Sequence, residues 1–420
     1  MFNLLNLFND GPEYQRRLHT PFTPTTVKLA EIHAAVPKHL FQKTTAKGLY
    51  YASRDVLCVF AIYQLGTRIE PFCAWLDSKS EVHMISVLVK WALWTFYWYW
   101  QSVAFAGCWC LAHEAGHGNL SPHSWVNDAI GFTLHMGVLA PYHAWRSTHR
   151  AHHQAVMNVE RDENYVPRTR SHYKLPPASV AQARDYSEMF EETPLYTLLR
   201  LLIMQLLGWQ IYLFTDSMGS PRHPKGTNHF LPSSPLFKPK ERNGIIASDL
   251  GILTMSYILY VWATGVGLSN FVKLYFIPYI LSNHWIVMLT YLHHSDPSIP
   301  HYRRKEWSFL RGALSTVDRP FLGWAGRFFF HNVSHDHIAH HLFSTIPFYN
   351  QPQVTEAIKK VLKDDYNYDS TNSFRALYRT FTQCHFIEDE GDIVFYKNKS
   401  GQSARVLADE GLNAEGNVIR

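Results

Sequence analysis

Four long apolar stretches alternate with polar segments along the chain, and each is long enough to form a helix that crosses a lipid bilayer. They cover residues 56–75, 87–111, 245–266 and 270–292. A membrane-spanning helix needs about 20 predominantly apolar residues. A short link joins the first stretch to the second, and another joins the third to the fourth. The pattern therefore predicts two antiparallel helical hairpins in a membrane.

Three short segments carry histidines at helical spacing, and we call them the first, second and third histidine boxes. They are residues 113–117 (HEAGH), 149–153 (HRAHH) and 337–341 (HIAHH). Residues three and four apart share a face of a helix, so each box directs two or three ring nitrogens toward one place. A single box is a weak signal, but three in one chain favour a dedicated metal site over unrelated surface or core histidines. The candidate ligands are His113, His117, His149, His152, His153, His337, His340 and His341.

The boxes also constrain the membrane topology, because the ligands of one site must lie on the same side of the bilayer. Only an even number of crossings is therefore possible between two boxes. Residues 126–142 and 195–214 are apolar but are interrupted by polar residues such as Asp128 and Arg200. We predict that both stretches lie at the membrane interface, which leaves four spans and places every box in the cytosol.

The pattern thus predicts an all-α membrane protein with four transmembrane helices in two hairpins and a cytosolic helical cap that carries the metal site. Residues 1–54 form a polar cytosolic arm with one short helix over 26–35, and residues 55–345 form the membrane and cap domain. Residues 346–420 form a cytosolic C-terminal region with a helix over 353–364 and a loose polar tail. Basic residues outnumber acidic residues in the arm, and the positive-inside rule places it in the cytosol.

The composition supports a membrane protein and argues against a nucleic-acid binder. Hydrophobic residues make up 46% of the chain and charged residues only 17%, against about 25% in ordinary soluble domains. The net charge of +5 suits the surface of an anionic bilayer or an acidic protein partner. The chain has no dense stripe of lysine and arginine of the kind that binds nucleic acid. Its five scattered cysteines predict no disulfide framework.

Eight clustered imidazoles are more ligands than one metal ion uses. A structural zinc ion takes four ligands, usually including cysteine, and none of the boxes contains cysteine. Neutral imidazole binds iron, copper, zinc and nickel. So many nitrogens divide naturally between two ions, and a pair of iron ions is the arrangement that handles O2. A redox pair on the cytosolic face of a bilayer would reach the acyl chain of a lipid.

Carboxylates close to the second and third boxes are candidates to accept hydrogen bonds from the ligating rings. Metal-bound histidine usually donates its free N–H to a carboxylate or carbonyl oxygen. The candidates are Glu160, Asp162, Glu163 and Asp336. His331 and His335 precede the third box and are weaker candidates for a role at the site.

The boxes and their flanking residues resemble the membrane fatty acyl desaturases. The order HxxxH, HxxHH and HxxHH is typical of that family. The flanks narrow the resemblance to the acyl-lipid Δ12 (oleate) desaturases, and in particular to fungal members. The segments that carry it are Trp145–His153 with Glu160–Glu163, Thr290–His294, Arg311–Arg319 and His337–Ser344. The resemblance extends over nearly the whole chain.

The resemblance implies a diiron enzyme of the endoplasmic reticulum membrane with both termini in the cytosol. Such an enzyme uses two iron ions, takes O2 as co-substrate and receives electrons from cytochrome b5, which an NADH-cytochrome b5 reductase reduces. It also implies a ninth iron ligand near the end of the last span, at His294, with His293 as the less favoured choice. The expected reaction is Δ12 desaturation of oleoyl chains on membrane phospholipids, which gives linoleoyl chains.

The first box departs from the family pattern and keeps other reactions open. Oleate desaturases usually have cysteine in place of Ala115 and alanine in place of Asn119. Glu114 is more like the Δ12 relatives, whereas Gly118 is more like the ω3 relatives. The alternatives are an ω3 or bifunctional Δ12/ω3 desaturase, an acetylenase and a hydroxylase. A non-catalytic membrane metal-binding protein is the alternative from a different class.

Desaturation at one position of a long chain needs a narrow, bent apolar tunnel that leads from the bilayer to the metal site. The tunnel would fix which carbons react. Trp145 and Tyr142 are candidates for its wall, although packing in the core is the favoured role of both.

Overall fold

Helices make up nearly all of the regular structure, as the sequence predicts. A computed structural model describes residues 8–79 and 82–408. The helices of the first half are α1 (Pro12–His19), α2 (Leu29–Ala35), α3 (Thr45–Thr67), α4 (Ile69–Lys79), α5 (His83–Gly116), α6 (Ser124–Gly137), α7 (Tyr142–Ala155), α8 (Ala183–Phe190) and α9 (Pro194–Thr215). Those of the second half are α10 (Arg242–Val266), α11 (Leu268–Phe271), α12 (Ile277–His294), α13 (Phe309–Leu314), α14 (Trp324–Phe329), α15 (His337–Leu342), α16 (Gln351–Leu362) and α17 (Ser373–Gln383). One small antiparallel pair joins β1 (His301–Tyr302) to β2 (Ile393–Val394).

Three helical segments of the described chain are long and apolar enough to cross a membrane. They are Thr45–Lys79, Pro194–Thr215 and Pro239–Val266. The first contains the predicted span 56–75 and the third contains the predicted span 245–266. The second is α9. The sequence predicts that α9 lies at the membrane interface, but its length and composition also suit a crossing.

The polar side chains of α9 explain why its sequence suggested an interfacial helix. Gln205 is buried and its Oε1 lies 2.9 Å from the His284 ring of α12. Gln210 donates to the hydroxyl of Tyr279, also on α12, at 2.9 Å. Arg200 forms an ion pair with Glu192 just before the helix. Each of these side chains has a partner within the protein, whereas a sequence pattern shows only that they are polar.

Helices α5 and α12 form the centre of the bundle. α5 packs against α3, α4, α6 and α12, and α12 packs against α9 on its other side. Their interior position accommodates buried polar residues such as Ser102, which accepts a hydrogen bond from the Trp285 indole at 2.8 Å. The predicted spans 87–111 and 270–292 are helical, but neither is among the three segments of the described chain that are long and apolar enough to cross a membrane. A π-helical turn, Val272–Phe276, leads from α11 into α12.

The two terminal regions pack against each other. The predicted helices over 26–35 and 353–364 correspond to α2 and α16, which pack together. The tail is not loose as far as Ala408, because Phe22 donates its backbone amide to Val406 at 2.8 Å and accepts from Ala408 at 3.0 Å. The rest of the predicted tail, residues 409–420, lies outside the described residues. The proposed domain boundaries stay predictions.

Candidate metal centre

Nine histidines from four helices meet at one place, and they form two groups. The C-terminal end of α5 brings the first box, α7 the second, α15 the third, and the last residue of α12 brings His294. Group one consists of His113, His117, His149, His153 and His340, and group two contains His152, His294 and His341. Within each group the candidate ligand atoms all lie within 4.8 Å of one another. His337 belongs with group two, because its Nε2 lies 3.1 Å from Nε2 of both His294 and His341.

The spacing of the ring nitrogens fits metal coordination. In group one, His149 Nε2 lies 3.1 Å from Nε2 of both His117 and His153. Two adjacent nitrogens that bind one ion at about 2.0–2.1 Å are about 2.8–3.0 Å apart in octahedral geometry and about 3.3–3.4 Å apart in tetrahedral geometry, which gives a range of about 2.8–3.4 Å. The observed separations match this range in both groups. The residues present therefore fit two metal ions with imidazole ligands.

The rings are held in the neutral form that a metal requires. Burial lowers the pKa values of His149 and His153 well below the ordinary histidine value, and the neighbouring imidazoles lower them further. Burial also lowers the pKa of His340 to about 3, although the nearby carboxylate of Glu114 opposes this shift. Neutral imidazole has a free lone pair on one nitrogen, so the cluster offers metal ligands at physiological pH.

Each HxxHH box contributes to both groups. On α7, His149 and His153 are four residues apart and both lie in group one, whereas His152 lies in group two. On α15 the division is reversed, with His340 in group one and His341 in group two. The rings of His153 and His341 stack at 4.0 Å between centroids where the two groups meet. The two metal positions are therefore adjacent and share the same two helices.

Asp162 is the predicted carboxylate that contacts a ligating ring. Its Oδ1 lies 2.6 Å from His152 Nδ1, and its Oδ2 accepts the backbone amide hydrogen of Met157 at 2.7 Å. The side chain is almost completely buried. With Nδ1 engaged in this way, Nε2 of His152 is left to bind metal in group two.

Glu114 is a site residue that the sequence reasoning did not assign. Its Oε1 lies 2.9 Å from Nδ1 of His113 and 3.5 Å from Nδ1 of His340. The side chain is fully buried, and Asn119 donates a short hydrogen bond of 2.5 Å to its other oxygen. A signal was available, since Glu114 is an acidic residue beside a ligand at the end of a long apolar helix.

The other three predicted carboxylates have different partners. Glu163 lies 2.8 Å from Nε2 of His223, and Asp336 lies 3.2 Å from a nitrogen of Arg327. Glu160 is exposed and accepts a backbone amide hydrogen across a loop. Their proximity in sequence to the boxes was misleading, because these side chains bond to partners other than the clustered rings.

Three further histidines near the boxes lie outside the two groups. His293 places Nδ1 2.6 Å from the carbonyl oxygen of Val317, and its ring stacks on that of His337. His331 Nε2 lies 2.7 Å from Oδ2 of the buried Asp55 carboxylate. His335 makes no ligand contact with either group. The weaker candidates therefore take no part in the clusters of the described chain.

Hydrogen bonds of the segment Val317–Arg319 link α12 to α15. Both of these helices carry histidines of group two. The Val317 amide donates to the carbonyl oxygen of His293 at 3.2 Å. Asp318 accepts the backbone amide hydrogen of Ile338, in the third box, at 2.8 Å. The Arg319 guanidinium donates to the carbonyl oxygen of residue 292 at 3.0 Å. These bonds hold the end of α12 beside the first turn of α15.

An apolar cavity of about 420 Å³ begins at both histidine groups. Its inner wall includes His149 of group one and His294 of group two. Trp145 lines the cavity and stacks on the His149 ring with 4.3 Å between centroids, as one of the two sequence alternatives predicted. Tyr142 is buried in the core instead. The volume falls in the range of about 300–1,000 Å³ that is typical of ligand pockets.

Comparison with known proteins agrees with this geometry. The family model described as fatty acid desaturase matches residues 91–372. The chain is 37% identical over 404 residues to a Delta(12) fatty acid desaturase of Mortierella alpina, covering 91% of this chain and 97% of the relative. It is 34% identical over 376 residues to the Delta(12)-fatty-acid desaturase of Arabidopsis thaliana, covering 88% and 91%.

A relative with a different named activity is almost as similar. The chain is 34% identical over 406 residues to an oleate hydroxylase of Claviceps purpurea, covering 90% of this chain and 82% of the relative. Fungal Δ12 desaturases are among the relatives, so the resemblance carried by the boxes and their flanks is confirmed. The residues that the family model matches include all three histidine boxes. The chain belongs to the fatty acid desaturase family of membrane enzymes.

Proposed function

We propose that this protein is an acyl-lipid Δ12 desaturase that converts oleoyl chains of membrane lipids to linoleoyl chains with O2. The observation that carries the proposal is the position of nine imidazoles, in two groups, at the inner end of an apolar cavity. The reaction class follows from the family, and the Δ12 position follows from relatives that bear this name over about nine-tenths of the chain. The cavity supplies the space for an acyl chain.

Group one and group two would each hold one iron ion. When bound, the iron pair supplies with O2 the oxidising power that removes hydrogen from unactivated C–H bonds. His113, His117, His149, His153 and His340 would hold one ion, and His152, His294, His337 and His341 the other. Asp162 orients His152, and Glu114 lies against His113 and His340.

The remaining residues of the cavity position the substrate and exclude water. Trp109, Trp145 and Trp209 contribute large rigid apolar surfaces, and all three are buried. The hydroxyl of Tyr165 lies 2.5 Å from Thr290 Oγ1, so the polar ends of these two cavity residues satisfy each other. An acyl chain in the cavity therefore meets mainly hydrocarbon and aromatic walls beside the imidazoles.

The proposed topology has four crossings, formed by α3–α4, α5, α10 and α11–α12, with α6 and α9 at the interface. The meeting of the second and third boxes supports it, because crossings by α9, α10 and α12 together would separate these boxes. Both termini and all boxes then face the cytosol. Residence in the endoplasmic reticulum would place the protein beside cytochrome b5 and its NADH-dependent reductase, the electron donors of the proposed reaction.

The decisive test is expression of the full-length protein in a yeast that makes only monounsaturated fatty acids. Fatty-acid profiling is expected to show a new octadecadienoate with cis double bonds at carbons 9 and 12. His340→Ala should abolish the product, because it removes a ligand at the point where the groups meet. His39→Ala changes an exposed histidine that does not line the cavity, and this matched control should retain product.

Other products would redirect the proposal. A triene points to ω3 activity, and a triple bond or hydroxyl group points to an acetylenase or a hydroxylase. No lipid product, together with one tightly held metal ion per chain, would contradict an enzymatic function. Wild-type activity in His340→Ala would contradict the site assignment.

A further inference from the structure

Three tryptophans and one tyrosine form a continuous row of rings that starts at the candidate metal centre. We call it the aromatic row, and its members in spatial order are Trp145, Trp109, Trp209 and Tyr212. Trp145 stacks on the His149 ring with 4.3 Å between centroids, and Trp109 stacks on the His113 ring at 5.9 Å. Both histidines belong to group one. The row therefore begins against two candidate ligands of the same metal ion.

The steps from ring to ring along the row are short. The centroid of the Trp109 ring lies 5.0 Å from that of Trp145 and 5.5 Å from that of Trp209. The Tyr212 ring, one turn further along α9, lies 5.9 Å from Trp209. These separations fall in the range of about 4.5–7 Å that is typical of aromatic rings in contact. An electron can therefore pass along the row from one ring to the next without crossing solvent.

The exposure of the side chains changes along the row. Trp109, Trp145 and Trp209 are 2%, 3% and 6% exposed, whereas Tyr212 is half-buried and lines the cavity. The row thus connects the buried metal centre to a side chain that a small solute in the cavity can reach. Core packing explains why tryptophans are buried, but it does not require that the row end at an accessible phenol.

The hydroxyl of Tyr212 has a proton acceptor beside it. It lies 3.0 Å from Nε2 of His229 and 2.9 Å from Oδ1 of Asn164. His229 is buried, and burial lowers its pKa to about 3, so its ring is neutral. A neutral imidazole that is protonated on Nδ1 accepts a proton at Nε2. A phenol that gives up an electron also releases its hydroxyl proton, and His229 is placed to hold that proton until an electron returns.

We propose that the aromatic row carries electrons from the cavity to the metal centre and so protects the enzyme when O2 has reacted without an acyl chain in place. This inference rests on the proposed function, because it needs an iron pair that reacts with O2. Indole and phenol are the side chains that give up one electron most readily. Without such a route, the oxidising power that is meant for a C–H bond would attack the ligands and the cavity wall. Excluding such side reactions is part of what a protein contributes to cofactor chemistry.

Each transfer moves one electron and returns the row to its starting state. The oxidised metal centre gains one electron through the row, and Tyr212 loses one. The O–H bond of Tyr212 breaks, and its proton bonds to Nε2 of His229. A small one-electron reductant such as ascorbate then reduces Tyr212, and the proton returns from His229. Two transfers and two protons from solvent replace the two hydrogen atoms that an acyl chain would give, so the oxygen leaves as water.

The test looks for the oxidised tyrosine in the absence of an acyl substrate. Purified full-length enzyme is loaded with iron, reduced by its electron donors, mixed with O2 and frozen for electron paramagnetic resonance. Wild type is expected to show a tyrosyl radical, recognised by its narrower signal in protein made with ring-deuterated tyrosine, and ascorbate should remove it. The signal should be lost in Tyr212→Phe. It should also be lost in Trp209→Phe, which keeps Tyr212 but interrupts the row.

Peptide mass spectrometry measures protection without any assay of product. After repeated exposure to O2 without substrate, Trp109 and Trp145 should carry more added oxygen in Tyr212→Phe and Trp209→Phe than in wild type with ascorbate. Iron-free protein treated in the same way should show neither the radical nor the added oxygen. Oxidation of the iron-free protein to the same extent would overturn the proposal, because the oxidant would then not come from the metal centre.

Tyr165→Phe is the matched control. Tyr165 also lines the cavity, and its ring lies 5.7 Å from the ring of His294 in group two. Its hydroxyl lies 2.5 Å from Thr290 Oγ1, which is an alcohol and not a base. This variant should therefore keep the radical and the wild-type level of tryptophan oxidation. Loss of the radical in Tyr165→Phe would overturn the assignment to Tyr212.

A further variant leaves all four rings in place. His229→Gln removes only the proton acceptor and should also lose the radical, so the proposal does not depend on whether Trp209→Phe folds. A tyrosyl signal that persists in Tyr212→Phe, or its absence from wild type that desaturates oleoyl lipid, would overturn the proposal. Wild type that forms the radical but no desaturated product would contradict only the proposed reaction.

Discussion

Replacing Asp162 tests whether one buried carboxylate holds a group-two ligand in place. Asp162 lies 2.6 Å from His152 Nδ1, accepts the Met157 amide hydrogen at 2.7 Å, and is 3% exposed. Loss of such a partner lowers metal affinity by about 10- to 100-fold, which corresponds to about 1.4–2.8 kcal/mol. In Asp162→Ala the buried Met157 amide also loses its acceptor, at a cost of about 1–3 kcal/mol in folding free energy.

The two effects can be measured separately. Iron per chain is determined across a series of chelator concentrations, and thermal unfolding in detergent reports the stability change. Asp162→Ala is expected to lose about one iron ion at chelator concentrations where wild type keeps two, because His152 serves group two. Asp162→Asn keeps an acceptor for Met157, so it should regain stability but not the full iron affinity.

Glu160 provides a matched control on the same loop. It is exposed, and Glu160→Gln should bind iron as wild type does. Loss of both iron ions at the same chelator concentration in Asp162→Ala would refute the division into two groups. Retention of both ions with wild-type affinity would refute the role given to the carboxylate.

Two further substitutions probe residues behind the boxes. Asn119→Ala removes the short hydrogen bond to the buried carboxylate of Glu114, and should lower folding stability by about 1–3 kcal/mol, measured by thermal unfolding; unchanged stability would contradict the contact. Burial and the charge of Asp336 raise the pKa of Asp318 to about 8, so the folded protein keeps a proton that the unfolded chain releases above about pH 4. Stability should therefore fall as pH rises from about 4 to about 8, and Asp318→Asn should flatten this dependence; an equally steep profile in the variant would contradict the assignment.

The long-range pattern of the chain predicted the helices well because apolar length and period are local properties. α5, α10 and α12 appear where the pattern places them, whereas the single span predicted over 56–75 is divided between α3 and α4 at Arg68. The role of α9 was harder to predict, since Gln205 and Gln210 bond to α12. Whether a polar residue faces water or a neighbouring helix depends on packing, which one sequence does not reveal.

The candidate metal ligands were as predictable as the helices, because the spacing of histidines is also a local property of the sequence. Helical spacing predicted eight metal ligands in the boxes, and the family resemblance added His294. The structure brings these nine side chains together, and their binding of metal stays a prediction. The carboxylates were less predictable, because Asp162 and Glu163 are adjacent in sequence yet bond to a ligand ring and to His223 respectively. Glu114 was overlooked although it lies inside the first box. Sequence distance from a ligand is a poor measure of contact once the chain turns.

The second and third boxes each end in two adjacent histidines, which we call a doublet. The doublets indicate how the candidate ligands divide between two ions, which the number of histidines alone does not. Adjacent residues on an α-helix point about 100° apart, so the two members of a doublet cannot readily bind the same ion. His152 and His153 accordingly belong to different groups, and so do His340 and His341. The HxxHH pattern therefore predicts two neighbouring metal positions served by one helix. A shift of α7 or α15 would disturb both positions together, which explains why the segment Val317–Arg319 ties α15 so closely to the end of α12.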